Sequence, residues 1–376
     1  MKKILFVSNI SDRITNFAIP SIEAGQKLGY EVHLAANYSN FSDNADNYNV
    51  KINHIDIIRN PFSIGNIKAL IQMCKLIKKE KYDVIHCNTP IGGILGRISG
   101  KICGVSKVIY TAHGFHFYKG APLINNIIYK NIEKWLAKIT DSIITITKED
   151  YISALKFKMS NNNLNVFYVP GVGIDRKNII NTTYNRDELC RNLGINEEDF
   201  IIVSAGELNR NKNQKVIIEA IANIPDNIKI QYIICGVGPL EEELKSLAKE
   251  KGIYKNVHFL GFRNDIINIM KSSDLFVMPS YREGLSRAIM EAMACGKPVI
   301  ASKIRGNVDL INDKNGYLFD PNDNINLANI IQEIFKNKNK CIKMGIEAFD
   351  DSRQYDINRI KKMILEIYKK ALLYSE

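Results

Sequence analysis

The sequence predicts an α/β protein of two doubly wound, parallel-sheet domains in tandem. Three observations carry that prediction: chain length, a strand–helix order that runs twice, and a polar break between the two runs. A chain of 376 residues exceeds one ordinary hydrophobic core and suits two. Its apolar content of 45% and charged content of 24% are globular values. Short apolar segments alternate with helical patterns, as in parallel sheets covered by helices.

Residues 3–7 read as a buried strand, followed by a polar loop and a helix ending at Gly29. Residues 31–36 and 52–57 read as the next strands. Over 66–79, Ile67, Leu70, Ile71, Cys74 and Ile77 recur at helical spacing. Strands at 83–87, 107–111 and 141–147 are separated by helices at 92–100 and 125–139. The second run opens with a strand at 200–206 and continues through 231–235, 257–259, 275–279 and 298–302. The Asn-rich stretch 178–198 reads as the linker. It sets an N-terminal domain at 1–177 and a C-terminal domain at 199–355, with 356–376 as a helix packing back on the first. Ligands of such sheets bind beyond the C-terminal strand ends. Two sets of these ends are expected to face one central cleft.

Charge and cysteines narrow the class. The net charge of +11 suits an anionic partner, but the basic residues are dispersed without interleaved aromatics, which argues against nucleic acid. The seven cysteines form no CxxC pair and support neither a zinc site nor a disulfide frame, so a cytoplasmic setting is expected. The apolar start is too short for a signal peptide, and no run has transmembrane length.

The chemistry gathers at strand ends. After the strand at 275–279, Glu283 and Glu291 bracket the start of an apolar helix and are expected on nearly one side, Glu291 about two turns in. Gly284, Leu285 and Ser286 lie between them, where helix-terminal amides suit an anion. Carboxylates for sugar hydroxyls beside amides for phosphate suit a sugar nucleotide. By itself the motif reads equally as an amphipathic helix with an acidic first turn. Gly206 ends the strand before Arg210 and Lys212, which aim cations at the cleft. Gly236 and Gly238 follow the next strand and read either as a tight turn or as close backbone approach to a ligand. His113 and His116 lie just past the strand at 107–111. One strand-end histidine is more often structural, but a pair beside Gly114 shifts the balance toward function. His86 reads as a packing residue.

Together these motifs resemble the family 4 retaining glycosyltransferases of GT-B fold, over nearly the whole chain. Tyr281-Arg282-Glu283-Gly284-Leu285 and Pro170-Gly171-Val172-Gly173-Ile174-Asp175 are similar to the subgroup that builds capsular and exopolysaccharide units. The resemblance implies that Glu283 contacts the donor sugar, Glu291 the ribose and Lys212 the diphosphate, with His113 facing the reacting sugar. Phe262 and Arg263 are counted with the donor side, and Asn9, His116 and Lys119 with the acceptor side. One departure stands out: Glu207 occupies the position where many members carry a second diphosphate-binding Arg, leaving Arg210 or Arg287 to compensate.

The expected reaction transfers a sugar, with retention, from a nucleoside-diphosphate sugar, UDP-linked by resemblance, to a polyprenyl-diphosphate-linked or glycan acceptor. No Asp-x-Asp clamp stands at a suitable strand end, and fixed cations can do a metal's electrostatic task, so no metal or other cofactor is expected. A sugar-nucleotide epimerase on the same fold is the alternative. Lys130, Lys134 and Lys138, four residues apart, read either as a solvated helix edge or as an anionic-membrane contact at the inner face of the plasma membrane. In the second case vesicle attachment is expected at low salt and release at high salt.

Overall fold

The computed structural model describes residues 1–61, 63–160, 165–225 and 227–373. It divides into two compact units, Met1–Gly173 with Asn358–Glu376, and Ile174–Ile357. The last three residues of the expected C-terminal helix lie outside the described residues.

The first unit holds β1 (Lys3–Ile10), β2 (Glu31–Asn37), β3 (Lys51–His54), β4 (Val84–Asn88), β5 (Lys107–Ala112), β6 (Ser142–Thr145) and β7 (Val166–Tyr168). They pair in parallel in the order β3-β2-β1-β4-β5-β6-β7. Side chains alternate between two cores. Leu5, Val7, Ile85, Cys87 and Tyr110 face one, and Ile4, Phe6, Val84 and Ile109 the other. Burial on both faces explains why these strands read as continuous apolar runs. The helix Ile357–Leu373 covers the second face with Ile360, Ile364, Ile367, Tyr368 and Ala371, a helical stripe.

The second unit holds β8 (Phe200–Ala205), β9 (Ile230–Cys235), β10 (Val257–Phe259), β11 (Leu275–Met278), β12 (Val299–Ser302) and β13 (Gly316–Phe319). Its parallel order is β10-β9-β8-β11-β12-β13. Both sheets reverse their winding once, between β1 and β4 and between β8 and β11. Such a reversal opens a crevice at the strand C-termini.

Three details differ from the sequence reading. β7 and β13, edge strands of three and four residues, are absent from the sequence reading. The stretch 178–198 is not an open linker: the helices Arg176–Asn181 and Arg186–Leu193 lie within it and belong to the second unit. Arg186 holds that segment down, bonding the Ser272 and Asp199 carbonyls and both Asp274 carboxylate oxygens. The unit boundary falls at Ile174 rather than after 177.

Candidate active site

In the second unit, three loops meet at the reversal between β8 and β11. Gly206 leaves β8 with φ +156°, and the aliphatic stem of Lys212 lies across it, 3.3 Å from where a Cβ would stand. A larger residue there would push Lys212 aside. The Lys212 ammonium reaches Glu283 Oε1 at 2.7 Å, both side chains mostly shielded from water. The structure thus joins two residues 71 positions apart that the sequence reading placed on diphosphate and sugar.

The supporting contacts all end on backbone carbonyls. Tyr281 N–H donates to the Asn211 carbonyl at 2.8 Å, and the Asn211 amide returns to the Arg282 carbonyl at 2.9 Å. Asn213, at φ +53°, ties the same loop to the Pro279 and Pro321 carbonyls. Asn tolerates that left-handed geometry better than most residues. Gly236 and Gly238 are tight because loops pack on loops: a Cβ on Gly236 would lie 1.9 Å from the Gly206 carbonyl oxygen, and one on Gly238 would lie 2.4 Å from that of Leu208. Neither a tight turn nor a ligand is needed to account for these glycines: a neighbouring loop's backbone already fills the space a side chain would take.

Glu291 is the fifth residue of the helix Arg287–Ala294, so it sits little more than one turn in, not two. The helix starts late because Ser286 is its N-cap, accepting from the Ile289 N–H. Leu285 is buried beneath the turn, and the Gly284 carbonyl packs against Gly306. Arg287 donates to Glu291 Oε1 at 2.8 Å. Burial pushes the Glu291 carboxyl up from its ordinary value, and Arg287 opposes that shift. Arg210 is exposed and lines a depression of about 240 Å³ with Lys215 and Glu243, beside Asn213 and Tyr281 of the same loops. The cation brought to the Glu283 loop is one the sequence reading missed. Arg305, 8% exposed, points Nη2 at the Glu283 carbonyl from 3.5 Å. Its signal was faint: a lone Arg three residues past a strand. Phe262 is exposed, and Arg263 is held by both oxygens of Asp265.

In the first unit a cavity of about 540 Å³ opens at the reversal between β1 and β4. His113 and His116 line it, with Arg13, Phe17, Asn88 and Thr89. His113 Nε2 and Asn88 Oδ1 are 2.9 Å apart, the ring nitrogen donating. Asn88 went unnoticed in the sequence, although a polar residue closing a buried strand is a readable signal. Next to it, Thr89 has φ +64°, a strained value for a β-branched residue. Asn9 holds that turn, its Oδ1 accepting from Thr89 Oγ1 at 2.7 Å and the Gly92 N–H at 2.5 Å. Lys119 does not join this cavity. It lines another groove with Lys130 and Lys134. Among the described residues no group of three His, Cys, Asp or Glu could hold a metal ion.

His86 is a packing residue, bonded to Tyr368 and Thr111 and fully buried. Burial holds His113 down to about 4 and His86 to about 3, the latter helped by neighbouring His113. Free histidine titrates near 6.5, so between about pH 6.5 and 3 the unfolded chain binds more protons than the native one. Stability should therefore be complete above about pH 6.5 and fall as pH drops toward 3–4, by a few kcal/mol. His86→Gln, which keeps one donor and one acceptor, should flatten this acid limb of melting temperature against pH. An unchanged slope would assign the limb to other groups.

Residues 3–147 match the model described as glycosyl transferase 4-like, and residues 185–351 that of glycosyl transferases group 1. Over 377 residues the chain is 35% identical to a Bacillus subtilis (strain 168) protein named as glycosyltransferase EpsD, covering 98% of this chain and 96% of that one. It is 34% identical over 322 residues to an Escherichia coli UDP-Gal:alpha-D-GlcNAc-diphosphoundecaprenol alpha-1,3-galactosyltransferase, covering 83% and 82%. Among solved structures it is similar to Anabaena HepE in complex with UDP and glucose, with TM-score 0.77, 23% identity, and 98% and 100% coverage.

Proposed function

The chain belongs to the group 1 glycosyltransferases with a glycosyltransferase 4-like N-terminal half, and on that footing we propose which sugar transfer it performs. The donor is a uridine diphosphate sugar. The acceptor is a sugar carried on a polyprenyl diphosphate, or a growing glycan, in cell-surface polysaccharide assembly. Support for donor and acceptor comes from the Escherichia coli relative, whose name specifies UDP-Gal and a diphosphoundecaprenol-linked GlcNAc. The relatives named above are transferases, which lends the epimerase reading no support.

One observation carries the proposal: the Lys212–Glu283 pair at the reversal of the second sheet. Breaking the bond between the anomeric carbon and the diphosphate puts negative charge on the leaving oxygen. Lys212 neutralises that charge within a partly shielded site. Glu283 accepts from hydroxyls of the donor sugar, and Glu291 from the ribose. The acceptor hydroxyl attacks on the face that the diphosphate leaves and passes its proton to the departing phosphate oxygen, so configuration is retained. With Lys212 in that role, the transfer needs no metal, and excess chelator should leave the rate unchanged. Activity lost in chelator and restored by magnesium or manganese would overturn this.

The test is a thermal-shift screen against sugar nucleotides, followed by mass spectrometry with a polyprenyl-diphosphate-linked sugar. A stabilising donor and a new glycosidic product are expected. A donor altered without any acceptor would reinstate the epimerase. For the ribose contact, Glu291→Gln should weaken UDP binding by about 1–3 kcal/mol. Unchanged affinity for both UDP and its 2′-deoxy analogue would exclude that contact. We also place the enzyme at an anionic membrane surface, where such an acceptor is presented. No helix among the described residues is long and apolar enough to cross a membrane.

A further inference from the structure

Asn88 closes β4, and the parallel register sets it beside Thr111 on β5, two residues before His113. It is 3% exposed, and the turn that Asn9 holds at Thr89 begins directly after it. Its Oδ1 accepts from His113 Nε2, while the Phe17 ring meets the imidazole edge-on, with centroids 5.0 Å apart. An amide oxygen only accepts, so a neutral ring bonded to it carries its proton on Nε2 and a lone pair on Nδ1. Two atoms of the pair, His113 Nδ1 and Asn88 Nδ2, are buried without a hydrogen-bond partner among the described residues. Buried polar atoms are seldom left so, because each forfeits its bonds to water. Both side chains line the cavity of about 540 Å³ at the β1–β4 reversal, whose occupant can supply the partners.

We propose that Asn88 fixes the tautomer of His113 and that the pair reads sugar hydroxyls in this cavity, His113 Nδ1 accepting from one hydroxyl and Asn88 Nδ2 donating to another oxygen. The two atoms choose the ligand class. A hydroxyl has a proton for Nδ1 and lone pairs for Nδ2. An ionised phosphate offers only lone pairs, and would meet that of Nδ1 unless the ring were charged. Burial keeps the ring neutral, holding it down to about 4. The ionisable groups around it are Asp12, Arg13, Tyr38, Tyr110 and His116 in the cavity, and His86 on β4. Asp12 is the one carboxylate among them, and it is exposed. The diphosphate of a lipid-linked acceptor is therefore turned away from this pair, which is left to sugar. So weak a base orients a hydroxyl without removing its proton, in keeping with a transfer that delivers the proton to the departing phosphate. That the sugar is a substrate rests on the transferase reading; the tautomer does not.

The full chain, isotope-labelled in its histidines, is measured by NMR, and His113 is assigned by the signals lost in His113→Gln. At pH 7 its ring should be neutral with the proton on Nε2, and should stay so until pH falls toward 4. A charged ring at pH 7, or a proton on Nδ1, would overturn the proposal. Inorganic pyrophosphate should leave the Nδ1 signal in place; a shift comparable to that caused by the sugar substrates would also overturn it. In the transfer assay, Asn88→Ala should lower kcat/KM roughly tenfold or more with UDP affinity unchanged. A raised acceptor KM assigns the acceptor sugar to the pair, and weakened UDP-sugar binding beside unchanged UDP binding assigns the donor sugar. Unchanged kcat/KM removes the pair from recognition. Asn88→Asp still accepts from Nε2, but its carboxylate favours the charged ring and so protonates Nδ1. Turnover relative to the parent should then climb with pH across the titration that the spectra locate. A purely structural Asn88 predicts a lower melting temperature with that ratio flat, which would sink the idea. The spectra use the unaltered chain, so a variant that fails to fold does not spare the proposal. A neutral ring protonated on Nε2 in a chain that binds no UDP-sugar overturns the transferase reading and leaves the tautomer standing. Transfer with a charged or reversed ring does the opposite.

Discussion

Lys212→Ala is expected to lose about 10²–10³ in turnover, the usual cost of removing one group aimed at developing charge. The ammonium lies 2.7 Å from Glu283 Oε1, and its stem is seated on Gly206, so no neighbouring cation can take its position without rebuilding the loop. Alanine also leaves Glu283, 14% exposed, without that partner, so some stability should go as well. A purely structural ion pair predicts a different outcome. In that case Lys212→Ala and Glu283→Ala would lower melting temperature equally and leave turnover per folded molecule within about threefold of the parent. Steady-state kinetics alongside thermal unfolding separates the two. Turnover that survives Lys212→Ala removes the residue from the chemistry.

Gly306→Ala should be among the most destabilising single changes in the second unit, at more than about 3 kcal/mol. Gly306 has φ +84°, and a Cβ there would stand 1.5 Å from the Gly284 carbonyl oxygen. With ψ −53° the backbone lies outside the left-handed helical region as well, so the conformation alone costs alanine at least about 1–2 kcal/mol. The clash cannot be relieved by turning a side chain, because the obstacle is backbone. One of the two loops must move, and both belong to the site: Gly284 adjoins Glu283, and Gly306 adjoins Arg305. Affinity for the nucleotide sugar should fall together with stability. Gly104→Ala is the control, with φ +69° and nothing within 4 Å of the added carbon, and should cost only the conformational part. Denaturant unfolding of both variants measures the difference. Equal losses would mean that the 284–306 contact relaxes freely.

Local patterning carried most of the fold. Strands buried on both faces are apolar throughout, so β1, β4, β5, β8, β9, β11 and β12 announce themselves, and their regular alternation with helices implies parallel pairing. β7 and β13, three and four residues at sheet edges, were not legible, although β10, equally short and also at an edge, was. The segment 178–198 looked like a linker because its helices are short and polar. Arg186, reaching Asp274 across 88 positions, is what fastens it.

Within the candidate site, the sequence shows which residue types follow the strands: Lys212, Glu283 and His113 in the loops past strand ends, and Glu291 in the helix beyond, because those positions follow from local pattern. Partnership was decided only by tertiary structure. Lys212 with Glu283, Arg287 with Glu291, His113 with Asn88, and Arg305 against the Glu283 loop each depend on which loops the sheet order brings together. The same holds for Gly236 and Gly306, whose lack of a side chain answers to a distant carbonyl rather than to their own turn. The outer face of Leu123–Ala137 is the inverse case. Ile124, Ile128, Ile132 and Trp135 stay exposed there, because the inner side of that helix is already filled by Leu136, Ala137 and the Arg97–Glu133 pair.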